Sequence, residues 1–171
     1  DLLCDEFEPW PAPYRSVLFP LTRMRFIFDQ SPIPVRTDFN TGAVKLIGQL
    51  LARADLVVFD FLHSAVLAPS KLEIPSVLFT HNVEAEIFSR HIDAAKNPLF
   101  KGIWSNQYRK MRAYEQKIVH AFDVVIAVSE RDAKQFTEDY KLDDVFCIPT
   151  GVDLEFFTYS TPSRFDDIVF C

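Results

Sequence analysis

The sequence predicts an α/β fold, an open parallel sheet flanked by helices. Three observations carry this expectation. Five short apolar runs recur, at residues 16–21, 55–59, 75–79, 123–128 and 145–148, and each is continuous rather than alternating, the pattern of strands buried on both faces. Helical periodicity fills several of the intervals between them. Finally, the later four runs empty into polar clusters: Asp60-Phe61-Leu62-His63, Thr80-His81-Asn82-Val83-Glu84, Ser129-Glu130-Arg131-Asp132 and Thr150-Gly151-Val152-Asp153. In a parallel sheet these exits share one edge, where α/β proteins bind their ligands.

Composition supports one folded core. The chain has 171 residues, 49% of them apolar, enough to bury a core of ordinary domain size, and its 11 prolines and 4 glycines are too few for a disordered or fibrous chain. A net charge of -6 argues against a general binder of nucleic-acid backbones. Cys4, Cys147 and Cys171 stand far apart with no Cys-x-x-Cys spacing, so no zinc site or disulfide framework is expected. Free thiols fit a reducing cytoplasm. No apolar run reaches the length of about 20 residues that a membrane-crossing helix needs, although attachment at the inner membrane surface stays compatible with the composition.

Taken in order, residues 6–39 are the least regular part. Prolines 9, 11, 13, 20, 32 and 34 alternate with Trp10, Phe19, Phe26, Phe28 and Phe39 and with Arg15, Arg23, Arg25 and Arg36. A packed irregular insertion is expected there, with an acceptor-binding or membrane-facing surface as the alternative. Residues 40–53 carry Val44, Ile47, Leu50 and Leu51 at helical spacing behind a cap at Asn40 or Thr41. Residues 65–71 predict a short helix clipped by Pro69. The longest helix is expected over 102–120, with Trp104, Tyr108, Met111 and Ile118 facing inward. Glu115 falls on or beside that apolar stripe, where a carboxylate needs a partner; a structural ion pair to a neighbouring loop is the expected reason. Ser129 is placed to cap the next helix, with Asp132 at the third helical position and Ala133, Phe136 and Tyr140 turned to the core. Pro149 ends the last strand, and Gly151 offers a position suited to close approach or positive φ.

Domain organisation follows from composition. Residues 1–157 are expected to form the sheet domain without its first strand, 158–167 a polar linker, and 168–171 the beginning of a second domain.

The candidate site lies at the strand exits. His81 is the leading candidate for catalysis, since its backbone is anchored by a strand while its ring can hydrogen-bond a hydroxyl or support a developing charge. Candidate substrate-binding residues are His63, Asn82, Glu84, Ser129, Thr150, Gly151 and Asp153. Glu84 has three open roles: pairing with His81, binding a substrate hydroxyl, or favouring a helix start. Ser129 has its capping role, and Asp153 can hold the exit loop in shape. Several chemistries are missing, including a phosphate loop, a dinucleotide fingerprint and a nucleophile elbow. His81, Glu84 and His91 lack the spacing of a metal site, so no metal is expected.

Four blocks together resemble the amino-terminal, acceptor-side domain of GT-B fold glycosyltransferases, particularly the retaining family 4. They are Phe79-Thr80-His81-Asn82-Val83-Glu84, Tyr114-Glu115, the run from Phe122 to Glu130, and the run from Ile148 to Phe157. The resemblance implies a Rossmann-like domain that faces a second, donor-binding domain across a cleft, and a sugar transferred from a nucleotide-sugar donor without a further cofactor. The implied acceptor is a glycan, a polysaccharide precursor or a lipid-linked sugar. By the same resemblance His81 lies near the sugar being transferred, and Thr150 replaces the more usual Asn of the exit motif. A glycine-rich first loop and the donor domain are not in this chain, so the chain alone is expected to be inactive. The alternative is a non-catalytic acceptor-binding or interaction module.

Overall fold

The computed structural model describes residues 5–10 and 19–156. Four parallel strands form one sheet: β1 (Val57–Asp60), β2 (Ser76–Thr80), β3 (Val124–Ala127) and β4 (Val145–Cys147), in the spatial order β1-β2-β3-β4. This is the Rossmann-like α/β arrangement expected from the sequence. Phe59, Leu78, Val125 and Val145 stand in register across it, as do Asp60, Phe79, Ile126 and Phe146. Side chains fix the β2–β3 pairing at both ends. Asp123 Oδ2 accepts hydrogen bonds from the Ser76 backbone amide and hydroxyl, both at 2.8 Å, and the Thr80 hydroxyl donates to the Ile126 carbonyl at 3.0 Å.

The two faces of this sheet differ, which corrects the expectation of burial on both. In-register residues of parallel strands share a face. Phe59, Leu78, Val125 and Ala127 are buried in one cluster with Val83, Phe88, Met111, Val119, Phe136 and Tyr140 from the helical side. On the other face Val58, Phe146 and Ile148 are more than half exposed, and Val77, Phe79, Val124 and Ile126 are only half-buried. A continuous apolar run records that both faces of a strand are apolar; it does not record that both are covered.

The connecting elements follow their signals. Helix α1 (Phe19–Met24), a 3-10 turn (Arg25–Phe28) and α2 (Ile33–Asp38) make residues 19–38 of the proline-rich region mostly helical, whereas residues 6–10 are irregular, as expected. Pro34 lies in the first turn of α2, where its missing N–H costs nothing. The strand expected at 16–21 fails at residues 19–21, which open α1, and its first three residues lie outside the described part. Helix α3 (Thr41–Leu51) is capped by Asn40, whose side chain accepts from the Ala43 amide at 3.0 Å. The clipped helix is a 3-10 segment, Ser64–Leu67. Helix α4 (Glu84–Ala94) precedes α5 (Pro98–Val119), which starts earlier than predicted because Asn97 caps it and Pro98 opens it. Ser129 caps α6 (Glu130–Tyr140), accepting from the Asp132 amide at 3.1 Å.

Neighbouring residues of α5 position two of the strand exits. The Tyr114 hydroxyl donates to the Leu62 carbonyl after β1, at 3.3 Å. Glu115, fully buried, accepts from the backbone amides of Glu84 at 2.8 Å and Ala85 at 3.2 Å, and from the Tyr140 hydroxyl at 2.5 Å. Val83 has no capping side chain, so the carboxylate of α5 caps α4 from outside. The expected ion pair is therefore a set of hydrogen bonds to backbone and phenol, and no cation is among these contacts. Burial pushes the Glu115 carboxyl up to about 6, against the opposing pull of the Tyr140 hydroxyl and the two amides.

The expected linker at 158–167, the domain start at 168–171, Cys4 and Cys171 lie outside the described residues. Among the described residues, no helix is long and apolar enough to cross a membrane.

Candidate active site

The strand register brings all four exits to one edge, as the sequence suggested. The two histidines there nevertheless point into different surroundings. Thr80 belongs to the covered face, and His81, one residue later, turns to the open side. Its ring stacks on Phe61 at 3.9 Å between centroids and 9° between planes, and meets the Phe79 ring edge-on at 4.8 Å. Nε2 lies 2.7 Å from Asp60 Oδ1. The side chain is one-third exposed, so the ring is held but accessible.

The residue beneath that ring has an unusual backbone. Phe61 has φ 69°, the left-handed region that an L-residue enters at a cost of about 1–2 kcal/mol. Three hydrogen bonds hold it there. Its amide donates to the Phe79 carbonyl at 2.9 Å, and its carbonyl accepts from the Ser64 hydroxyl at 2.9 Å and the Ser64 amide at 3.1 Å. The strained residue ends β1 and lays the Phe61 ring against His81.

His63 occupies the helical side. Its Nδ1 is 3.5 Å from Asp38 Oδ2 at the end of α2, and its Nε2 is 3.4 Å from Glu84 Oε2 at the start of α4. Burial disfavours the charged ring, but the two carboxylates outweigh it and hold the imidazolium up to about 9. Glu84 thus meets His63, not His81. Both line a cavity of about 310 Å³ whose other walls include Ile33, Pro34, Trp104 and Gln107. Gln107 is buried, and its side-chain oxygen accepts from the Ile33 amide at 2.8 Å, tying α5 to α2. Sequence reasoning missed it because a lone Gln on an amphipathic helix reads as a solvent-facing residue.

The remaining candidates sit along the rim. Asn82 is exposed beside His81. Ser129 faces its own helix start as a cap. Thr150 and Gly151 are exposed after β4, and Gly151 has neither a positive φ nor a close neighbour; a Cβ built there meets nothing within 4 Å. Its expected backbone role is therefore not seen. Asp153 does shape the exit loop, accepting from the Glu155 and Phe156 amides at 3.0 Å each. Asp60 is the residue that sequence reasoning overlooked. Its place at a strand end was visible, but its pairing with His81 depends on strand register.

Among the described residues, no three His, Cys, Asp or Glu side chains are grouped so as to hold a metal ion. The chain matches no curated protein and no solved structure in the comparisons made. A family model does match: Glycosyltransferase Family 4, over residues 4–156. That span contains every described strand and helix and all four blocks of the resemblance up to Phe156, so the chain belongs to glycosyltransferase family 4 and its general chemistry is glycosyl transfer.

Proposed function

We propose that this domain is the acceptor-side half of a nucleotide-sugar-dependent transferase that acts on a glycan, polysaccharide precursor or lipid-linked sugar with retention of configuration. The observation that supports this best is the presentation of His81, fixed between Asp60 and Phe61 at the carboxyl edge of a family 4 sheet. In this reading a second, donor-binding domain closes over that edge. Activity requires both halves, in a cytoplasmic enzyme that works free or at the inner membrane surface.

The reaction breaks the bond between the sugar anomeric carbon and the donor phosphate oxygen. The acceptor hydroxyl oxygen bonds to that carbon from the same side, and its proton passes to the departing phosphate. His81 hydrogen-bonds a hydroxyl of the sugar and supports the positive charge that develops at the ring, an interaction that gains strength in the transition state. Asn82, Ser129, Thr150, Gly151 and Asp153 belong to the substrate-facing rim in this reading, with His63 and Glu84 beneath it. No metal or further cofactor takes part.

The test is a nucleotide-sugar screen of the full-length protein, with mass detection of transfer or hydrolysis products. Turnover of at least one donor is expected. No turnover across the panel with any acceptor class would favour a non-catalytic binding module.

A further inference from the structure

We infer that Asp60 is a positioning residue for transfer, holding His81 in the tautomer protonated at Nε2 so that Nδ1 is the ring nitrogen offered to the sugar. The inference rests on the catalytic reading of His81 given above and adds the atom through which it acts.

Three features converge on it. A carboxylate oxygen at 2.7 Å from Nε2 can only accept, so the proton between them belongs to the ring. Phe61 lies parallel to one face of that ring, so tilting the ring about Cβ–Cγ breaks the stack, the edge-on Phe79 closes a second side, and the Asp60 contact selects between the two flipped orientations that the stack allows. Phe61 is itself held at φ 69° by three hydrogen bonds, which keep its ring, 46% exposed, at the surface beside His81. A carboxylate that fixes the tautomer and orientation of a working imidazole is a recurrent device, and around metal-bound imidazoles its removal typically costs about 10–100-fold. Here the two ring nitrogens become unequal. Nε2 is engaged, and Nδ1 accepts from a sugar hydroxyl or, once protonated, donates to one.

Asp60 is exposed, with 61% of its side chain accessible, so Asp60→Ala leaves the core intact. In the full-length protein, two-bond proton–nitrogen NMR correlations of the His81 ring at neutral pH are expected to show the Nε2-protonated tautomer, and a mixture in D60A. A ring protonated on Nδ1 alone in the parent, or an unchanged pattern in D60A, overturns the inference. Transfer by D60A is expected to fall about 10–100-fold, mainly in kcat, and the D60A/H81A double variant to be no slower than H81A. Additive losses would make Asp60 a substrate contact in its own right and overturn the positioning role. An H81A enzyme at parental rate removes the catalytic reading along with this one. A slow H81A beside a D60A at parental rate removes only the role of Asp60.

Discussion

Two histidines, His63 and His81, follow neighbouring strands and reach the same edge of the sheet, yet they are built into opposite kinds of environment. His63 lies between Asp38 and Glu84 within the helical layer, where helix-borne carboxylates hold it charged. His81 stands over the more exposed face of the sheet, stacked on a strained Phe61 and bonded to an exposed Asp60. The difference teaches that proximity to a strand end does not assign a role. Which face the exit loop turns toward decides whether a histidine joins helices together or stays open to solvent. Substitutions in the helical layer should therefore cost stability, and substitutions over the open face should cost transfer.

The largest effect is expected at Glu115, which belongs wholly to the helical layer. Replacing it by Ala leaves two amides at the start of α4 and the Tyr140 hydroxyl without their acceptor. A loss of about 3–5 kcal/mol is expected. Thermal unfolding should move down by roughly 10 °C, at about 2–4 °C per kcal/mol for a domain of this size. An unchanged transition would contradict the capping role.

His81→Ala and His63→Ala form the direct comparison. H81A should lower transfer by about 100-fold or more, roughly 2.7 kcal/mol of transition-state stabilisation, with its melting transition nearly in place. H63A should do the reverse, losing stability while retaining the larger part of the transfer rate. Steady-state rates and melting curves for both variants decide the matter, and reversal of the pattern would dissolve the distinction between the two sites.

pH separates the histidines further. His63 binds its proton more tightly folded than unfolded, so its stabilising contribution is fully present below about pH 6.5 and disappears as pH rises through about 9. After allowing for partial solvent screening the span is about 2 kcal/mol. Glu115 acts in a separate window. Its raised folded-state value makes stability fall between about pH 4.5 and 6, as the buried carboxyl gives up its proton. Denaturant titrations between pH 6.5 and 9.5 should show a declining stability that H63A flattens; equal slopes in parent and variant would mean that the two carboxylates do not hold the ring charged.

Much of this organisation was legible in the sequence. The four described strands, the caps at Asn40 and Ser129, the clipped 3-10 segment and the anomaly of Glu115 were all readable, because each rests on local periodicity or on one residue type at one position. The losses are non-local. Prolines 20 and 34 fall in first turns rather than breaking helices, so α1 and α2 were hidden in a region read as irregular. The openness of one sheet face depends on what packs there, which no apolar run encodes. The partners of His63, His81 and Glu84 depend on register and on which way each exit turns. Phe61 shows the same limit: nothing in Asp-Phe-Leu-His announces a positive φ at a bulky residue.

Phe61→Gly is the smallest of these effects and the sharpest test of the open face. Glycine adopts φ 69° without the penalty that Phe carries, a gain of about 1–2 kcal/mol. Against it stand the greater freedom of glycine in the unfolded chain, about 0.5–1 kcal/mol, and the lost stack on His81. The opposing changes leave stability within about 1 kcal/mol of the parent. Transfer should nonetheless fall by about 10-fold, because the ring of His81 loses the surface that fixes its plane. A variant that keeps its stability but loses rate shows that the Phe61 ring serves the orientation of His81. If rate and stability are both unchanged, the stack is incidental, and Asp60 alone holds the ring.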